Sequence, residues 1–229
     1  LCTPIARRLG ALGNWIVVSV CRWLLRLRAD CRVEGIEHIP PSGPVVLASR
    51  HVHHALDGAV LLAATPRRLH AIVAIDWARR GPLRWVMGRA CGVLDWPTVL
   101  RPGHPGAVDR EDAARMLRRA IREAVALLSD GQALLVFPEG YPTIDPHWTP
   151  KADLGAWLPF DDGFAHLARL AERNGAAPVA VVPVGFHYRR GRRWRIAARF
   201  DAPRFLQPDA DLAAFVAEIE ASVRALSAP

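Results

Sequence analysis

The chain has little lysine, tyrosine, methionine or cysteine, and no apolar run of bilayer length. Lys151 is the only lysine, so nearly all of the 30 basic residues are arginine; against 22 acidic residues they leave a formal charge of +8. Arginine forks suit phosphate and carboxylate groups. That balance admits three partners (nucleic acid, an anionic membrane surface or a phosphorylated substrate) and does not choose among them. Cys2, Cys21, Cys31 and Cys91 are widely separated and form no C-x-x-C pair. Their spacing argues against a disulfide framework and a cysteine-built zinc site, and a reducing compartment is expected. No signal-peptide pattern stands at the start, and the chain opens on Leu1 rather than Met, so an upstream segment is expected. What is abundant is apolar material: 51% of the 229 residues are hydrophobic and 23% charged. That suits one compact domain with a short appendage and argues against wholesale disorder.

The longest uncharged apolar stretch is the 13 residues from Leu9 to Cys21, short of the roughly 20 a bilayer span requires. Arg7 and Arg8 precede it, and Arg22, Arg26 and Arg28 follow. It reads either as a core helix or as an interfacial helix with Trp15 and Trp23 at headgroup depth. Apolar character continuing through Trp23-Leu24-Leu25 favours a monotopic anchor. Residues 1–30 are therefore expected to form a membrane-associating segment, and 31–229 the main domain.

Beyond it, strands and helices alternate. Apolar runs at 44–48, 69–75, 133–137, 179–186 and 194–200 predict strands, most of them buried on both faces. Helical patterns appear at 58–64, 83–91, 109–128, 163–173 and 212–226, with a short extended piece at 92–95. Between 109 and 128 the residues Ala113, Met116, Leu117, Ala120, Ile121, Ala124 and Leu127 recur at helical spacing. This pattern predicts an α/β fold, a mostly parallel central sheet with helices on both faces, preceded by the N-terminal apolar helix. The Pro-rich stretch 141–159 reads as a long surface loop, a length more often functional than decorative.

Chemistry concentrates at two strand ends, where α/β sheets gather ligands. The first is Ser49-Arg50-His51-Val52-His53-His54-Ala55-Leu56-Asp57-Gly58. An imidazole can take a proton from a hydroxyl near neutral pH, and a carboxylate on its other nitrogen fixes the tautomer. His51 or His53 can fill the first role and Asp57 the second. The other strand end is Phe137-Pro138-Glu139-Gly140, which places a carboxylate at the sheet edge.

Together these segments resemble the glycerophospholipid acyltransferase family, which includes the lysophosphatidic-acid (1-acylglycerol-3-phosphate) acyltransferases. Arg50-His51…Asp57 looks like its Asn-His-x4-Asp motif, with five residues intervening instead of four. Phe137-Pro138-Glu139-Gly140 looks like the start of Phe-Pro-Glu-Gly-Thr-Arg, and Pro97-Thr98-Val99-Leu100-Arg101 is similar to the second motif. Val182-Pro183-Val184 resembles the fourth, and the order of motifs holds over about residues 33–190. The resemblance implies acyl transfer from acyl-CoA or acyl carrier protein to a lysophospholipid or glycerol-phosphate-like hydroxyl. In that reading His51 is the base, with His53 second, and Asp57 orients it. Arg101, Phe137, Pro138, Glu139 and Gly140 bind substrate, with Glu139 holding acceptor hydroxyls. No metal or other cofactor is implied, and the enzyme is expected peripherally or monotopically on the cytoplasmic face of the membrane, with no nucleic-acid partner. Tyr141-Pro142 stands where the family has Thr-Arg, the Arg that helps hold the acceptor phosphate. Arg101 is expected to take over that grip, supplemented by Arg110 or Lys151.

Two other classes compete. His51, His53 and Asp57 could be three metal ligands of a hydrolase, since His-x-His is a common zinc pair; His70, His104, His147 and His187 are scattered and read as core or surface residues. Arg189-Arg190-Gly191-Arg192-Arg193-Trp194 could instead mark a non-catalytic binder of lipid or nucleic acid, or simply a solvated turn.

Overall fold

A computed structural model describes residues 4–76, 82–101, 110–146 and 148–229. Cys2, Trp77, His104 and His147 lie outside them, as do the side chains of Arg7, Arg8 and Arg110. Helix α1 (Pro4–Arg28) leads into strand β1 (Ala29–Glu34), and a 3-10 turn precedes β2 (Val45–Ser49). Then come α2 (Leu56–Ala64), β3 (Leu69–Ala71), β4 (Val73–Ala74), α3 (Pro82–Leu94) and β5 (Thr98–Val99). Helix α4 (Arg110–Ser129), β6 (Ala133–Val136) and α5 (Gly163–Arg173) follow. The chain closes with β7 (Ala180–Arg189), β8 (Trp194–Phe200), β9 (Arg204–Phe205) and α6 (Leu212–Leu226).

The main sheet runs β1-β8-β7-β2-β6-β3, with β9 paired to β7. Its β1/β8, β7/β2, β2/β6 and β6/β3 ladders are parallel; β8 and β9 run antiparallel to β7. Parallel strands need both faces covered, and the side chains show how. Val45 and Leu47 of β2 join a core with Leu56, Val60 and Leu61 of α2, while Val46 joins Ala124 and Leu128 of α4 and Phe164 of α5 on the other face. Two hydrophobic cores thus sandwich one sheet, and the uniformly apolar runs follow from that. Helix α6 lies close on β7: a Cβ on Gly185 would stand 2.4 Å from Leu226 Cβ, so only glycine fits there. Helix α1 packs on α2 and α3.

Several expected boundaries move. The 69–75 run breaks at Ile72, so that β3 stays on β6 while β4 pairs with β5 in a separate two-stranded sheet. Residues 92–94, expected to be extended, continue α3, because Cys91 and Leu94, three apart, both turn inward; left-handed Asp95 (φ 55°) ends the helix. Strand β1 has no sequence signal, since Ala-Asp-Cys-Arg-Val-Glu sits at the sheet edge largely in water. On α4 the buried seam is Ala120, Ala124, Val125 and Leu128, with Leu117 exposed. Trp85 of α3 is also exposed.

Buried His70 gives this core a pH dependence. Its Nδ1 bonds Asp95 O at 3.1 Å, its Nε2 has no partner, and burial followed by the nearby Arg68 charge pushes its pKa down. His53 is pushed down too, again chiefly by burial. Below the usual histidine value of about 6.5 the unfolded chain binds protons that the folded chain refuses, so stability falls on acidification through that value. We expect Tm to drop between pH 7 and pH 5, and the slope to flatten in His70→Gln, whose amide does not titrate. An unchanged slope would remove His70 as its source.

Candidate active site

β2 ends at Ser49, and the chain turns through Arg50–Ala55 before α2 starts at Leu56. That turn brings His51 back over the second residue of the helix: His51 Nδ1 lies 3.0 Å from Asp57 Oδ2. The same oxygen accepts the backbone N–H groups of Val52 (2.6 Å) and His53 (2.8 Å), and Oδ1 accepts the hydroxyl of Tyr188 at 2.5 Å. Asp57 has no exposed surface. A buried carboxylate with this many donors is held rigidly as an anion. Against an anion, Nδ1 must carry the ring proton, which leaves Nε2 with its lone pair. The ring stacks on Phe137 (centroids 3.9 Å apart). Burial, and then Asp57, push the Tyr188 hydroxyl well above its usual pKa, so it stays a donor.

The three histidines separate into distinct roles. His53 uses Nδ1 to accept from Ala55 N (3.2 Å) and Leu56 N (3.4 Å), covering the open start of α2. Its ring stacks on His54 and lies edge-on to Trp194. Only His51 of the two candidate bases has its ring on Asp57. The competing metal triad does not converge either: Asp57 Oδ2 and His53 Nδ1 are already committed to N–H donors. Among the described residues no group of three or more His, Cys, Asp or Glu side chains is arranged to hold a metal ion.

Glu139 follows β6, in a turn closed by Gly140 N to Phe137 O (2.9 Å) with Gly140 at φ 71°. Its carboxylate was expected to hold acceptor hydroxyls; it faces the protein instead. Oε1 accepts His51 N at 2.9 Å, and Oε2 accepts Leu158 N at 3.1 Å and Lys151 Nζ at 2.7 Å. The side chains of Glu139 and Lys151 are both fully buried. Lys151 also bonds His51 O at 2.9 Å, so it braces the histidine backbone and is not free to supplement a phosphate grip. The 141–159 stretch is correspondingly more than a surface loop. Ile144 bonds Val52 O (2.7 Å) and accepts His54 N (3.1 Å), while Thr143 N bonds His51 O (3.2 Å), strapping the histidine turn in place.

Arg101, just past β5, is held by Asp76: Nε and Nη2 reach its two oxygens at 2.8 and 2.7 Å. Nη1 bonds Gly140 O at 3.0 Å, and Tyr141, in the place of the family's Thr, lies under the guanidinium at 4.3 Å. Arg50 is buried, donates to Phe186 O and Leu154 O, and stacks on Trp157, which also meets Arg224. His51, Arg101, Phe137 and Gly140 all line one cavity of about 630 Å³, whose other walls are mostly apolar, with His54 and Asp145 among them, and include Val17 and Cys21 of α1. Pro138 and Glu139 do not line it.

Tyr188 and Asp76 escaped the sequence reading. Tyr188 stands two residues past the strand end placed at 186, on the face of Val184 and Phe186. Extending that alternation would have carried its hydroxyl to the sheet edge. Asp76 follows directly on the 69–75 run, at another strand end.

A doubly covered sheet with an imidazole–carboxylate pair at the end of a central strand, opening on a largely apolar cavity, makes an α/β fold with a candidate proton-transfer site. The acyltransferase family model matches residues 30–187, most of the chain, and the chain belongs to that family. It is an acyltransferase. Among solved structures it is similar to the crystal structure of PlsC, the 1-acyl-sn-glycerophosphate (LPA) acyltransferase from Thermotoga maritima. That likeness covers 97% of this chain and 78% of the other, with a TM-score of 0.58 and 21% identity, and shows a shared fold. No curated protein matches the chain in sequence.

Proposed function

We propose that the protein moves a fatty acyl group from an acyl thioester, acyl-CoA or acyl carrier protein, to a hydroxyl of a lysophospholipid or glycerol-phosphate-like acceptor. The 3.0 Å contact between His51 and Asp57 at the wall of an apolar cavity carries this reading. His51 Nε2 takes the acceptor's hydroxyl proton as the oxygen attacks the thioester carbonyl. Collapse of the tetrahedral adduct breaks the C–S bond, and the proton passes from the imidazolium to the departing thiolate, giving an ester and a thiol. Asp57 stabilises the imidazolium, and Tyr188 fixes Asp57. The acyl chain occupies the apolar part of the cavity, and Arg101 meets the acceptor headgroup at its polar part. Glu139 and Lys151 position His51 and touch no substrate.

Residues 1–30 form the membrane-associating segment of this reading, 31–229 the catalytic domain, and the protein lies on the cytoplasmic face of the membrane. Supporting this, Leu12, Ile16, Val20, Trp23 and Leu27 make an exposed apolar stripe along α1, and Trp85 and Val86 of α3 are exposed as well. No helix of the described residues is long and apolar enough to cross a membrane.

The test is to incubate the protein with a labelled acyl thioester and a panel of lysolipids and read the product masses. Acyl transfer to one lysolipid class is the expected result. Release of free fatty acid at a rate indifferent to acceptor would overturn the reading, and a chelator-sensitive release restored by zinc would point to a hydrolase.

A further inference from the structure

The basic hairpin between β7 and β8 has no place in the chemistry above, yet the structure ties it to α1. Arg193 is its anchor: Nη2 donates to Leu25 O (3.3 Å), Arg26 O (2.5 Å) and Ala29 O (2.6 Å), and Nη1 pairs with Asp30 at 3.0 Å. Those bonds close the carbonyl end of α1 and fix the hairpin beside it. Between them runs a groove of about 760 Å³, lined by Arg26, Arg32, Arg189 and Arg195 together with Leu25 and Ile196. The nearby carboxylates are spent, Asp30 on Arg193 and Glu34 on Arg32 and Arg199. Among the described residues, exposed Arg22, Arg26, Arg189, Arg190, Arg192 and Arg195 have no carboxylate partner. These exposed arginines lie on the last turns of α1 and on the β7–β8 hairpin that Arg193 ties to it, and together they favour an anionic counterpart. The apolar stripe ends in Trp23 and Leu27 on the same helix turns that carry Arg22 and Arg26. A partner that satisfies both must offer anions and hydrocarbon at one surface. A bilayer does so; a nucleic acid or an acidic protein face offers only the first.

We propose that this arginine collar docks the headgroups of anionic phospholipids and so sets how the protein lies on the bilayer. The proposal rests on the reading of the chain as a membrane-surface acyltransferase and adds the lipid class it selects. Two charge-reversal pairs test it: Arg189→Glu/Arg195→Glu in the collar, and Arg118→Glu/Arg122→Glu on α4, which changes net charge equally elsewhere. Co-sedimentation uses vesicles of phosphatidylcholine alone and of phosphatidylcholine with phosphatidylglycerol. The unaltered protein should prefer the anionic vesicles by about tenfold or more, a preference that fades in high salt. The collar pair should lose the preference yet still bind neutral vesicles, and transfer acyl groups normally in detergent micelles. The α4 pair should behave as the unaltered protein.

Equal binding of both vesicles by the unaltered protein overturns the collar alone, whereas binding of neither overturns the membrane reading with it. A preference that survives in the collar pair, or vanishes equally in the α4 pair, also overturns the proposal. So does a collar pair with intact lipid preference that loses activity only with a carrier-protein donor, which would reassign the surface to an acidic carrier.

Discussion

His51→Ala is expected to lower the rate of acyl transfer by about a hundred- to ten-thousand-fold, the range a positioned general base supplies. Its ring stacks on Phe137 at the cavity wall and makes one side-chain hydrogen bond, so the fold should survive and Tm move little. Asp57→Asn should lose turnover to a similar degree for a different reason. A carboxamide that turns its NH₂ toward the imidazole reverses the tautomer and puts the proton on Nε2, where the lone pair is required. Asp57 also terminates two backbone N–H groups, so this variant should melt lower than His51→Ala. His53→Ala, by contrast, removes an acceptor at the start of α2 and should cost stability more than rate. Rates measured beside thermal melts separate these outcomes. A near-normal rate in His51→Ala would transfer the role of base elsewhere.

Glu139→Gln should destabilise the protein by about 3–5 kcal/mol, because it strands the Lys151 ammonium in the interior. Burial already pushes the Lys151 pKa down, and the charge and hydrogen bond of Glu139 are the chief offset, with Asp57 a smaller one, so removing the carboxylate leaves most of that cost unopposed. Lys151→Met strands the carboxylate instead and should cost about as much. The two losses should not add: the double variant, with neither charge buried, should be markedly more stable than their sum implies. Denaturant titration of the four proteins completes the cycle. Additive losses would show that the pair contributes nothing as a pair. Because both residues hold the His51 backbone, each single variant should also lose rate.

The sheet was legible because strands buried on both faces need apolar residues at every position, as in Val45-Val46-Leu47-Ala48. Strand β1 was not, because its edge position lets Asp30 and Arg32 face water. The acyltransferase motifs showed where chemistry gathers, but not which way the side chains turn. Nothing in Pro-Glu-Gly reveals that Glu139 points inward, since its partner Lys151 is twelve residues away across an irregular strap. The spacing of His51 and Asp57, one residue longer than the family's, became intelligible only once the turn before α2 was seen. There His51 lies in the turn and Asp57 in the first turn of the helix, and His53 Nδ1 covers the backbone N–H groups of Ala55 and Leu56.

Helix α1 does more than the membrane attachment proposed for it, because Val17 and Cys21 supply part of the lining of the cavity proposed for the acyl chain. A truncated version, trimmed to improve handling in water, would have its lipid chamber open along one side. Such a fragment would retain the dyad and still be a poor enzyme, and its failure would say nothing about His51.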